Sequence, residues 1–354
     1  LQEISGLERC FVEQGSVGRL TTPALIARRP QNFRDIVKTV VPLIFSDSFR
    51  RLTKITFLGI LSPSYAAIER HPIRFSATSS DRSRAHHSFE VALLAGRMAE
   101  DLSLSATTIR YAILWGLLHD IATWPLSHTG EAAFSSATET SARKLRRMMI
   151  TGDNKLHRSL RVYRSLKEMG VDFDVLLALF DKRASSGTGE LAHLHNLLHS
   201  ALTPDTLEGM YRSGRAFGLP VPKPSVFIDS MERDLVSGIR LKRNSSADAI
   251  KFWRAKGRIY SHFINKEATV AFESSWSSAI RDSYINIDLS ESLLANEKDI
   301  LRKVAHKPVR PDREVFRYKE PLSYQIADEY HAARKFKDSF ALEYLSEVFV
   351  KGKS

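Results

Sequence analysis

Apolar positions along this chain recur mostly at three- and four-residue steps. In the stretch HHSFEVALLAGRMAEDL, Val91, Leu94, Ala95, Met98 and Leu102 follow that spacing, which places them on one face of an α-helix. Ser105 and Thr107 are N-cap residues for the next helix, whose apolar stripe is Ile109, Ile113, Gly116 and Leu117. The same reading predicts helices over 140–150, 156–169, 173–181, 190–200, 205–217, 246–280, 289–305 and 321–346. Alternating strand-like patterns are scarce. VKTVVPLIF, near residue 40, is the best strand candidate, and Pro42 within it argues against a central strand. The expectation is a mainly α fold.

The sharpest interruption is LPVPKPS at 219–225, where three prolines in five positions forbid a helix. It divides the chain into a first unit, 1–219, and a mostly helical C-terminal subdomain, 225–354. The segments 242–248 and 306–314 read as loops. At roughly 150 residues per domain, 354 residues suit one large domain or two intimate ones. A single cysteine, Cys10, rules out an intramolecular disulfide within this sequence and leads us to expect a reducing, cytoplasmic setting. No apolar run approaches the roughly 20 residues that span a bilayer, so no membrane role is expected.

Charge changes the picture further. The formal net charge is +12, which favours anionic partners. The excess is concentrated: nine cations fall between Arg143 and Lys167 with Asp153 alone opposing them, and a second group runs from Arg240 to Arg258. Solvated helix faces and phosphate binding both account for such clusters.

The chemistry-bearing motifs are fewer. No GxxxxGK[ST] loop and no GxSxG elbow occurs, and GTGELA at 187–192 lacks the preceding strand that a dinucleotide loop needs. His119 and Asp120, by contrast, stand together at the end of the apolar run AILWGLL. A carboxylate taken into a core without a partner is costly, so it is expected to be paired or bound to a cation. His128 and Glu131 follow, three residues apart and therefore able to share a helix face. A third group, HLHNLLH, sets His195 and His199 four apart, as in many zinc pairs, but no acidic signature accompanies it, which favours structural histidines.

Three segments in order, SFRRLTKITFLG (48–59), RAHHSFEV (84–91) and HDIATWPLSHTGE (119–131), resemble the HD-domain metal phosphohydrolases, and more closely their deoxynucleoside triphosphate triphosphohydrolase branch. PDTLEGMYRSGRAFG (204–218) resembles the helix that closes the metal site in that branch, and 252–268 and 292–304 resemble its C-terminal helices more weakly. The resemblance implies an HD-domain helical bundle in which His87, His119, Asp120 and Asp205 hold one divalent cation (manganese, magnesium, iron or zinc). It makes His128 and Glu131 the catalytic pair, and it gives Arg84, His157 and Arg212 to the substrate. The implied activity is metal-dependent hydrolysis of a (deoxy)nucleoside triphosphate, in an assembly of identical subunits. Where that branch carries a lysine, a sugar-side tyrosine and an aspartate, this chain has Thr206, Gly209 and Ser213; Thr123 likewise replaces a histidine or other polar residue of some relatives. These departures keep two rivals in view: a phosphodiesterase or nuclease that engages nucleic acid through the basic clusters, and a nucleotide-binding regulator without turnover.

Overall fold

Residues 31–305, apart from 81, 183–188, 201 and 235–237, are described by a computed structural model of the chain. Among them are fourteen α-helices and one short hairpin. The first unit contributes α1 (Gln31–Ile44), α2 (Asp47–Arg51), α3 (Arg84–Asp101), α4 (Ala106–Leu118), α5 (Ser127–Ala137), α6 (Ala142–Thr151), α7 (Tyr163–Glu168), α8 (Phe173–Phe180), α9 (Glu190–His199) and α10 (Pro204–Phe217). Beyond the proline-rich break come β1 (Met231–Asp234), β2 (Gly238–Leu241), α11 (Ser246–Ile259), α12 (Glu267–Ser283), α13 (Leu289–Leu294) and α14 (Glu297–Ala305). The strands pair antiparallel, Met231 opposite Leu241 and Asp234 opposite Gly238.

Hydroxyl side chains start the helices that matter most. Ser83, Ser105, Ser141 and Thr203 each accept a backbone N–H from the first turn of α3, α4, α6 and α10 respectively, satisfying donors that have no partner inside the helix. The expected strand near residue 40 is instead the end of α1. Phe33, Ile36, Val37, Val40, Leu43 and Ile44 are all buried, and their spacing is helical; Pro42 falls in the last turn, where few backbone bonds remain to be lost. The predicted helix over 246–280 is two helices separated by a π turn at Tyr260–Ile264. The one over 289–305 breaks at Ala295 and Asn296, where the Asn296 side chain caps the Lys298 N–H. Over 156–169 a single 3-10 turn, Arg158–Leu160, precedes the short α7. The helix expected over 321–346, the loop over 306–314 and Cys10 lie outside the described residues. No helix among those described is long and apolar enough to cross a membrane.

One apolar core runs through both sides of the proline break, from Phe33 and Phe49 to Phe252, Trp276 and Ile300. Its centre is the antiparallel contact of α3 and α4. Gly116 lies so close to Ala92 that a Cβ there would meet the Ala92 backbone nitrogen at 2.6 Å. One turn beyond Gly116 stands His119, and just over one turn before Ala92 stands His87. The glycine contact therefore brings the two imidazoles to the same height between the helices.

Candidate metal centre

His87 and His119 meet between α3 and the end of α4, with their Nε2 atoms 3.1 Å apart. Asp205, on the first turn of α10, places Oδ1 3.2 Å from the His87 Nε2 and 3.6 Å from that of His119. Asp120 places Oδ2 3.7 Å and 3.6 Å from the same two atoms. The four residues named from the sequence thus converge, although they span more than a hundred positions.

The surrounding bonds decide which atoms face inward. His119 Nδ1 lies 2.7 Å from the Gly116 carbonyl, which can only accept, so Nδ1 carries the proton and Nε2 presents a lone pair. His87 Nδ1 hydrogen-bonds Glu208 Oε2 and is fixed in the same tautomer. Two imidazole lone pairs and two carboxylate oxygens therefore crowd one point. Without a cation the cluster can relieve this only by holding a proton. Burial works against a charged His87, but Glu208, Asp205 and Asp120 together push its pKa up to about 9. Burial disfavours the Asp205 anion too, yet the His87 hydrogen bond and the charges of His119 and His87 hold its carboxyl well below the usual range. For Asp120, Arg84 and the same two histidines overcome burial in the same direction. A mixed imidazole and carboxylate donor set of this kind fits a divalent cation. The Asp205 side chain keeps 47% of its surface open, whereas His87 is buried, so the cluster is approachable from the Asp205 side.

Behind these four stands a supporting layer. Arg84 is held by all three of its nitrogens: Nε donates to Ser127 Oγ at 2.9 Å, Nη1 to Asp120 Oδ2 at 2.8 Å and Nη2 to the Phe57 carbonyl at 2.7 Å. Arg212 forms a buried ion pair with Glu208, which in turn holds His87. Arg51 reaches across to donate to the carbonyls of Ile121 and Thr123, both at 2.8 Å, and so shapes the turn that follows Asp120; burial lowers its pKa to about 10.

That turn aims His128. Leu126 and Ser127 both have positive φ, 62° and 51°, a conformation that costs of order 1–3 kcal/mol per residue and needs external support. Glu297, from α14, supplies it: its carboxylate accepts the Leu126 N–H at 2.6 Å, the Thr56 N–H at 3.1 Å and the Tyr65 hydroxyl at 2.5 Å. Ser127 Oγ in turn donates to the Thr56 carbonyl at 2.5 Å. Gly130 is required one turn later, because any Cβ there would overlap the Pro125 carbonyl oxygen. His128 itself is open to solvent, 78% exposed, with Nδ1 3.7 Å from Glu131 Oε2. The Glu131 carboxyl lies below its ordinary value because of that histidine. Both border a cavity of about 120 Å³ shared with Arg84, His119, Asp120, Thr123 and Arg146.

The remaining expectations fall elsewhere. His157 is exposed; its Nδ1 caps Ser159 and its backbone N–H donates to Ser290 Oγ, away from the cavity. Arg212 faces a separate cavity of about 430 Å³ with Arg82, Glu90, Tyr211 and Arg215. His195 and His199 spend their Nε2 atoms on the carbonyls of Asp181 and Leu179, each at 2.9 Å. Gly209 faces the ligands: a Cβ there would stand 3.7 Å from the His87 ring and 4.0 Å from Asp205 Oδ1. Ser213 donates to the Gly209 carbonyl within α10. Arg51, Arg146 and Glu297 were not legible as site residues, since each acts through contacts distant in sequence. Only the density of cations around 143–147 pointed toward Arg146.

Residues 84–169, from Arg84 at the start of α3 through the histidine–aspartate pair, match the family model described as HD domain. The chain carries an HD domain. It is similar to the deoxyguanosinetriphosphate triphosphohydrolase-like protein 2 of Vibrio cholerae serotype O1, with 32% identity over 108 residues, 30% of this chain and 23% of that protein. The aligned stretch thus spans about a quarter of the relative's length. The HD domain accounts for His87, His119 and Asp120, while Asp205 and Glu297 reach its site from outside residues 84–169.

Proposed function

We propose that this protein is a metal-dependent phosphohydrolase acting on nucleotides, with a (deoxy)nucleoside triphosphate as substrate and release of the whole triphosphate as the reaction. The observation that carries the reading is the convergence of two tautomer-fixed imidazole lone pairs and two carboxylates beside an exposed His128–Glu131 pair. His87, His119, Asp120 and Asp205 would hold the divalent cation, which when bound supplies Lewis-acid polarisation of a phosphoryl oxygen. His128, exposed beside Glu131, would move a proton, toward the 5′ oxygen as the P–O bond breaks or away from the attacking water. Glu131 stabilises the protonated imidazole and orients the ring. Asp120, locked by Arg84, keeps its oxygen aimed inward throughout.

The missing side chain at Gly209 and the internally bonded Ser213 favour a sugar contact unlike that implied by the triphosphohydrolase resemblance. A panel of ribo- and deoxynucleoside mono- and triphosphates and short oligonucleotides, assayed with manganese for released orthophosphate, pyrophosphate or tripolyphosphate, tests the proposal. Tripolyphosphate release, abolished in His128→Ala, is expected. Cleavage of oligonucleotides alone, with steep salt dependence, would replace the reading with a nuclease. Tight nucleotide binding with no turnover would replace it with a regulator.

A further inference from the structure

The phosphate chain of a triphosphate must meet a cation, and three of the five N–H groups of Arg84, one on each nitrogen, are already bonded to Ser127, Asp120 and Phe57. Arg146, which lines the same 120 Å³ cavity, is in a different state. One Nη donates to the His119 carbonyl, and the guanidinium lies 4.8 Å over the Phe180 ring, which fixes its plane. Its Nε is shielded from solvent and has no hydrogen-bond partner. Asp120, Asp205 and Glu131 are near enough to act on its charge, yet none forms an ion pair with it among the described residues. The guanidinium is half-buried, borders both cavities and has no direct counter-ion among the described residues, so a ligand anion can reach it.

Two cavities meet at Arg146. The 120 Å³ space lies at the metal centre, with His119 and Asp120 in its lining. Arg146 also borders a second cavity of about 370 Å³. Its walls carry Arg143, Lys144 and Arg147 against a single carboxylate, Asp181, which Arg143 already pairs at 2.5 Å. We infer that Arg146 is the gatepost through which the substrate's phosphate chain leaves the metal centre, and that the cationic cavity beyond it binds the distal phosphates. The site then selects an oligophosphate over a monophosphate by charge, whatever the base. This assignment rests on the hydrolase reading for its substrate, but not for its test.

The test is calorimetric titration of inorganic tripolyphosphate, orthophosphate and an uncharged nucleoside into the full chain without added metal. Wild type is expected to bind tripolyphosphate at least about tenfold more tightly than orthophosphate, the scale of one charge-assisted contact. Arg146→Gln should lose about tenfold or more for tripolyphosphate and change orthophosphate little; Arg146→Lys should recover part of the loss. The double variant Lys144→Ala/Arg147→Ala, on exposed positions, should weaken tripolyphosphate alone, and it serves if Arg146→Gln fails to fold. Equal tripolyphosphate affinity in wild type and Arg146→Gln, absent binding in wild type, or preferential binding of the nucleoside overturns the inference. Failure of the whole nucleotide panel to turn over, with tripolyphosphate binding still dependent on Arg146, would remove the hydrolase reading and leave the anion site standing.

Discussion

Among the described residues two pairs of histidine rings lie against each other, one edge-on and one tilted, and only one has the form of a site. His87 and His119 have ring centroids 5.0 Å apart; His195 and His199 are closer still, at 4.4 Å. Proximity therefore does not separate them. The difference lies in which nitrogen is spent. In the first pair the Nδ1 atoms are satisfied by Glu208 and Gly116, so both Nε2 atoms point together at two carboxylates. In the second pair the Nε2 atoms are consumed by backbone carbonyls, and the rings fasten α9 to the end of α8. An imidazole becomes available to a cation when the protein satisfies its far nitrogen and leaves the near one bare.

The contrast can be broken most severely at Asp205. Asp205→Ala should eliminate measurable manganese binding by calorimetry and the proposed hydrolysis with it, while His195→Gln leaves the metal stoichiometry at that of wild type. Retention of both binding and turnover in Asp205→Ala would exclude this aspartate as a ligand. A smaller effect is expected one layer out. Glu208→Gln keeps a hydrogen-bond acceptor near His87 but removes the charge, and should weaken metal affinity by about 10–100-fold with little change in the far-ultraviolet circular dichroism.

Gly116→Ala attacks the helix approach that sets the first pair side by side. Forcing a methyl against the Ala92 backbone should cost about 1–3 kcal/mol and lower the Tm by several degrees in calorimetric scanning. An unchanged Tm would show that α3 and α4 can separate without penalty.

The smallest effect sharpens the second pair. Burial, with the neighbouring His195, lowers the His199 pKa to about 4 from 6.5. A base with a depressed folded-state pKa is protonated first in the unfolded chain. Stability is therefore full above about pH 6.5 and falls as pH drops toward 4, by up to about 2 kcal/mol once partial exposure is allowed for. Denaturant titrations from pH 7 to 4 should show a shallower loss in His199→Gln than in wild type, and parallel curves would deny His199 its structural role.

Much of this could be read from the chain. The three-and-four spacing located α3, α4 and α10, and Ser105 marked the start of α4, because those signals are local. His87, His119, Asp120 and Asp205 were named by motif and resemblance, and they converge. Helix breaks were harder: the π turn after Ile259 and the gap at Ala295 interrupt apolar patterns that by themselves continue. His157 was given to the substrate by the family resemblance, but it is an exposed N-cap of the 3-10 turn Arg158–Leu160 and does not line the cavity at the metal centre.

By itself the sequence determined the residue types of the candidate site and the helices that bear them, since each follows from local periodicity or a short motif. Only the tertiary structure decided how each charged group is employed. Arg84 bonds through each of its nitrogens while the Arg146 Nε has no partner, Glu297 braces a strained turn from 171 residues away, and one histidine pair bares its lone pairs while the other hides them. These outcomes depend on which donor meets which acceptor across the fold, and hydrogen-bond partners brought together by packing leave no periodicity in the chain.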